Sequence, residues 1–264
     1  GFGLGIAGAA MATVISQVVV FLVFIFMLFF KDHSYISFNL NDFTFSTDIL
    51  WDIIKIGLPA SLSMIVMAVG QGVFNKILAH ISVETVAAYQ VAGRLDMLVF
   101  LPIFSIAASL TTLVGMFYGA KEYEALRFTI RYGIVSALVI TIFSSAMVYV
   151  FADQVVRFFT EDESIVIIAV NFLQIFAFAY PFIAVGITTG RVLQGLGKGL
   201  PVLIITVVRV LGVSAPLALF FIFILGKSVE WVWYSMTIST VVAFAIGLTW
   251  LVSTIKKLPV KNEL

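Results

Sequence analysis

Seven long apolar segments dominate this sequence. They run approximately over Gly5–Phe30, Ile53–Ala79, Val86–Phe117, Tyr132–Phe151, Ile165–Thr189, Leu200–Leu225 and Val229–Thr254. Each reaches or exceeds the roughly 20 residues that a helix needs to cross about 30 Å of hydrocarbon. Runs this long and continuous specify helices, because barrel strands would be about ten residues long with polar alternation. Charged residues make up 11% of the chain and AVILMFWYC residues 62%, so too little polar surface exists to clothe a water-soluble fold. The expected fold class is therefore all-α, a polytopic transmembrane bundle of seven helices.

Several chemistries are excluded as expectations. A net charge of +1 with no basic run argues against nucleic acid. No Cys is present, and the two His, His33 and His80, stand apart without metal-ligand spacing, so neither metal nor cofactor is expected. GLGKG at 195–199 lacks the phosphate-loop spacing and joins two apolar segments, so it reads as a turn. With no nucleophile triad either, the chain is not expected to be an enzyme. The first segment has no basic leader and is too long for a signal peptide.

The connections set the topology. Residues 31–52 form the one long connection, read as an interfacial strap ending in a helix cap at Ser46 or Thr47. His80–Thr85 is short enough to make an antiparallel hairpin of the second and third segments. Lys31, Lys55, Lys121, Arg127, Arg131, Arg191, Lys198, Lys256, Lys257 and Lys261 fall on one side, against Lys76, Arg157 and Lys227 on the other. The basic-rich side is cytoplasmic, which puts the amino terminus outside and the C-terminus inside a plasma membrane. An outside start without a signal is itself a reason to expect a C-terminal piece of a longer protein.

Polar groups at membrane depth are expensive and mark function or helix pairing. Arg94 and Asp96 lie about 12 and 15 Å inward from Val86, and two residues apart they project about 200° from one another. Each therefore needs a partner on another helix or a hydrated cavity. Tyr89 shares a face with Asp96, and Gln90 with Arg94. Arg209 is roughly 13 Å into the sixth segment, with Asp96 as the deep carboxylate available to pair with it. Gln71 and Asn75 share a face of the second segment, and Asn171 and Gln174 form a stripe with Phe178 on the fifth. All nine polar positions are candidates for lining a substrate or ion cavity, with structural pairing as the competing reading. Pro59 is placed near a first turn, whereas Pro102 and Pro181 are placed inside helices and are candidate hinges.

The stretch IGLPASLSMIVMAVGQGVFNKILAHISVETVAAYQVAGRLDMLVFLPIFSIAASLTTLVGMFYGA at 56–120 resembles the seventh and eighth helices of the MATE family, the multidrug and toxic compound extrusion transporters. GIAGAAMATVISQ at 5–17 resembles the start of that family's sixth helix, and YPFIAVGITTGRVLQGLGKG at 180–199 its tenth helix and following loop. The wording LPASLSMIVM and AAYQVAGRLDMLVFLP is most similar to the prokaryotic DNA-damage-inducible subgroup. The resemblance implies a twelve-helix antiporter of two lobes, of which residues 1–30 supply the sixth helix, 31–52 a cytoplasmic connector, 53–256 the six-helix C-terminal lobe and 257–264 a cytoplasmic tail. It implies export of amphipathic, often cationic compounds against inward sodium or protons, with membrane lipid and a missing N-terminal lobe as partners. Where some members carry a cation-binding Glu in the seventh helix this chain has Met67, and the repeat-related place opposite the first-lobe aspartate is about Asn75. The coupling ion is therefore expected mainly in the absent lobe. Two other readings compete: a lipid-linked oligosaccharide or polysaccharide flippase of the same superfamily, which would need several basic cavity residues, and a seven-helix receptor, which would need an anchor halfway along the last helix.

Overall fold

The computed structural model describes residues 5–30 and 45–259. Contacts divide the chain into two units, Gly1–Thr47 and Asp48–Leu264. The first unit contains α1 (Gly5–Phe30), a helix with no acidic or basic residue in its end turns. Val14, Phe21 and Phe24 are each more than 60% exposed within the chain, as suits a helix whose surroundings are apolar. The strap read over residues 31–52 falls largely on 31–44, outside the described residues, as do 260–264 of the tail.

The second unit is helical throughout its described length: α2 (Thr47–Ile81), α3 (Val83–Gly119), α4 (Tyr123–Arg157), α5 (Glu163–Ala177), α6 (Tyr180–Gly195), α7 (Leu200–Ile224) and α8 (Glu230–Lys256). Among the described residues six helices are individually long and apolar enough to span a membrane, and α5 and α6 together pass the same test as a pair bent by 59°. The fifth segment is therefore two helices that meet at a bend and not one continuous helix.

Boundaries moved outward where polar residues remain good helix formers. Helix α2 starts at Thr47, in agreement with the helix start read at Ser46 or Thr47, and so takes in residues 47–52 of the connector; Asp48 lies in its first turn, which suits the positive helix end. Pro59 consequently lies in the helix interior, not near a first turn, and leaves the Lys55 carbonyl without an intrahelical donor. Helix α4 absorbs Glu124, Arg127 and Arg131 at one end and Asp153 and Arg157 at the other. The short second connection is a hairpin as expected. Ser82 alone separates α2 from α3 and caps α3 by accepting from the Thr85 amide at 3.1 Å. Asn75 and Gln90, placed about equally on either side of it, are hydrogen-bonded at 3.2 Å.

Helix α3 is central and packs on α4, α5 and α6, while α8 packs on α5, α6 and α7. The contacts run through small residues: Ala88, Ala92, Ala107, Ala137, Ala169 and Ala184 are all fully buried. Lipid gives helices no hydrophobic reason to associate, so close van der Waals approach through such residues supplies the adhesion. At the tightest approach, a Cβ on Gly70 of α2 would stand 2.3 Å from Val210 Cγ1 of α7.

Helix α7 is not regular. Val208–Ser214 and Phe220–Ile224 are π-helical, with Pro216 just after the first of them. Proline cannot donate to the carbonyl four residues back and its ring clashes there, so a wider turn relieves the conflict. Single π turns are rare and concentrate at functional sites.

A cavity with two unlike edges

A cavity of about 260 Å³ opens along α3, between α2, α5 and α8. From α3 it is lined by Tyr89, Gln90, Gly93, Arg94, Asp96 and Met97; the facing helices add Gln71, Phe172, Phe176 and Met236. At 100° per residue, Gly93 and Met97 point at its middle, while Arg94 and Asp96 lie near opposite edges, about 160° apart the short way round. Nothing lies within 4 Å of a Cβ built on Gly93. The absent side chain is thus part of the cavity's volume.

One wall is aromatic. Tyr89 stacks on Trp233 at 6.0 Å with 11° between the rings, and Phe172 meets both edge-on, at 5.7 Å from Tyr89 and 4.8 Å from Trp233. Phe176 stacks on Phe172 at 5.0 Å, and Tyr180 follows it edge-on at 5.8 Å. The chain of rings ends at a carboxylate, because the Tyr180 hydroxyl donates to Asp96 Oδ1. Tyr180 and Trp233 are fully buried. Trp233 Nε1 has no hydrogen-bond partner.

The position of Tyr180 depends on the break between α5 and α6. Pro181 is the second residue of α6, not an interior helix residue, where its missing amide costs nothing. The Ser145 hydroxyl of α4 donates to the Ala177 carbonyl at 2.6 Å, satisfying a group that the break leaves free. Pro102 does lie within a continuous α3.

Sequence reasoning brought Gln71, Tyr89, Gln90, Arg94 and Asp96 to the cavity, with Asn75 held at its margin by the Gln90 Nε2 donor. Asn171 and Gln174 do not line it. Phe172 and Phe176 take that face of α5, and the amides are turned aside, the Asn171 Oδ1 buried without a partner. Phe178, the third member of that stripe, lies beyond the end of α5 and is 66% exposed. The Arg209–Asp96 pair is also not formed. Arg157 forms ion pairs with Asp153 and with Glu163, at 2.9 and 2.8 Å. Arg209, on the first π stretch of α7, instead places Nη2 2.7 Å from Met67 Sδ of α2, a weak acceptor. Tyr180, Ser145, Phe172, Phe176 and Met236 went unread. Of these, only Tyr180 carried a local signal, the Tyr-Pro step that starts a new helix. Among the described residues no three His, Asp or Glu side chains assemble as a metal site.

The model of the MatE family matches residues 59–220. The chain belongs to the MatE family. Its relatives include the probable multidrug resistance protein NorM of Thermotoga maritima, 27% identical over 231 residues that cover 87% of this chain and 49% of that protein. The multidrug export protein MepA of Staphylococcus aureus is 30% identical over 199 residues, covering 75% of this chain and 44% of MepA. Among solved structures, the outward-facing conformation of a multidrug resistance MATE family transporter superposes with a TM-score of 0.90 at 32% identity, over 97% of this chain and 57% of that one. This MatE chain spans about half the length of the curated relatives it matches. It is a multi-pass membrane chain of a transporter family, and the cavity along α3 sits wholly in its second unit.

Proposed function

We propose that this MatE chain forms the C-terminal lobe of a secondary antiporter that exports amphipathic organic compounds, often cationic, in exchange for inward sodium or protons. The observation that carries the reading is the cavity along α3: an aromatic wall beside amides and charges at membrane depth, in a chain whose relatives are named as multidrug exporters. Residues 53–256 act as the lobe and α1 as a helix of the other. Alternating access is then motion of one lobe against the other around a shared site. Pro102, inside α3, and Pro181, at the bend of the broken span, are the proposed points of flexure. The coupling ion binds mainly outside these residues, with Asp96 as the candidate within them. The amino terminus is outside and the C-terminus cytoplasmic in a plasma membrane.

The test is reconstitution of the full-length protein in liposomes. A cationic dye is expected to move against an imposed sodium or proton gradient, and the 264-residue chain alone is expected not to move it. A folded full-length protein that moves dye at the same rate with and without either gradient would refute antiport. Orientation is tested separately. A cysteine at Ser164 is expected to react with an impermeant reagent from outside, and one at Lys198 only after permeabilisation; the reverse pattern inverts the topology.

A further inference from the structure

We propose that the C-terminal half of α8 docks one anionic phospholipid of the surrounding bilayer, with an acyl chain in a groove on the helix and the phosphate at Lys256 and Lys257. The proposal does not rest on the transport reading of the cavity along α3. The groove, of about 510 Å³, is lined by Ala245, Ile246, Thr249, Trp250 and Ser253. Two ridges form it. At 100° per residue Ala245, Thr249, Ser253 and Lys256 fall within about 80° of one another, and Ile246, Trp250 and Lys257 within about 40° on the adjoining side. Each ridge therefore runs out into a lysine at the helix end.

The lining suits an acyl chain. Thr249 Oγ1 donates to the Ala245 carbonyl at 2.7 Å and Ser253 Oγ to the Trp250 carbonyl at 2.8 Å. Both hydroxyl protons are thus engaged within the helix, and the groove offers mainly hydrocarbon. From Ala245 to Ser253 it is about 12 Å long, within the roughly 15 Å that is half the hydrocarbon thickness. A partner span would lie against both leaflets, whereas a lipid chain occupies one. Trp250 stands about 10 Å before Lys257, a depth at which amphipathic rings meet the headgroups. The charge at the end of the groove suits an anion. Lys256 is in the last turn of α8 and Lys257 caps it, while the one acid of this helix, Glu230, is in the first turn at the far end. Arg127 of α4 donates to the Leu258 carbonyl at 3.0 Å, which anchors the chain just beyond the lysines. Their long side chains can then extend to the level of a phosphate, and clustered basic residues at that level attract anionic lipid.

Tryptophan fluorescence of the full-length protein in vesicles of equal parts phosphatidylglycerol and phosphatidylcholine tests this, with bromine on the acyl chains of one lipid, the other or both. Bromine quenches an indole on contact, and the share of quenching lost in Trp250→Phe belongs to the groove. That share is expected to report at least about fivefold tighter binding of phosphatidylglycerol, the effect of one basic residue near an anionic surface. Lys256→Gln with Lys257→Gln is expected to remove the preference while quenching with both lipids brominated stays unchanged, and Lys256→Arg with Lys257→Arg to keep it. Equal binding of the two lipids, or a preference that survives the glutamine pair, would overturn the proposal. So would a lack of Trp250-dependent quenching with both lipids brominated, which would show the groove covered by protein, whether the rest of the full-length chain or a second copy. No gradient is imposed, so the result stands apart from the test of antiport.

Discussion

Arg94 and Asp96 stand two residues apart on one helix and flank one cavity, yet their edges are built differently. The Asp96 edge is closed: Tyr180 donates to the carboxylate from beyond a break in the span, and Phe100, Phe176 and Tyr180 pack around that contact. The Arg94 edge is open, with Gln90 and Gln71 for neighbours on the lining. The helix that carries both charges does not distinguish them. The difference comes from α5 and α6, which bring rings to one edge and nothing to the other.

The largest expected effect falls on the closed side. Trp233→Ala empties the centre of the aromatic wall, where Tyr89 and Phe172 both rest on the indole. Deleting such a ring costs about 3–5 kcal/mol in water-soluble cores. Here apolar exposure to lipid is nearly free, so the loss is of packing alone and about 3 kcal/mol is expected. Thermal unfolding of the full-length protein in detergent measures it, and a loss below about 1 kcal/mol, an ordinary single-substitution effect, would mean the wall collapses freely.

The intermediate effect compares the two edges directly. Tyr180→Phe leaves Asp96 in place without its donor and is expected to cost about 1–3 kcal/mol. Asp96→Asn keeps an acceptor for the hydroxyl and should cost less. Arg94→Gln breaks no pair, so its stability change should stay within about 0.5 kcal/mol. Equal losses for Tyr180→Phe and Arg94→Gln would erase the distinction between closed and open edges.

The smallest effect lies outside the membrane, at the start of α5. The Asp162 carboxyl is held below its ordinary range by the Ser164 hydroxyl and then by the Ser164 amide, at 2.6 and 3.0 Å. A depressed acid contributes stability above its unfolded value, and that contribution disappears as pH falls through the folded one. Asp162→Asn keeps the cap but has no charge to lose. Its melting temperature should therefore fall slightly less than the wild type's on acidification below roughly pH 4, and identical profiles would show the cap to be independent of charge.

Much of this was legible because hydrocarbon imposes few solutions. Seven segments of sufficient length and a six-residue second connection could hardly be anything but spans and a hairpin. The polar positions on α3 were legible too, since any charge at that depth must face protein or water. What local pattern could not give was partnership across helices. Arg209 and Asp96 matched in charge and depth, but the π turn carrying Arg209 directs it toward Met67, and the break before Tyr180 supplies Asp96 with a different donor. On α5, the amides at Asn171 and Gln174 drew attention from Phe172 and Phe176, although a cavity for amphiphiles is walled more by rings than by amides.

The π-helical stretch Val208–Ser214 has a consequence for how this chain tolerates change in length. A run with bonds spanning five residues accommodates one residue more than α-helical spacing would. Removing a single residue there can be absorbed by reversion to an ordinary helix, with the faces of α7 on either side left in register. The same deletion in the regular α3 would turn everything beyond it by about 100° and pull Asp96 from Tyr180. Within the helices compared, a one-residue deletion is thus absorbed at the π-helical stretch of α7 and not in α3.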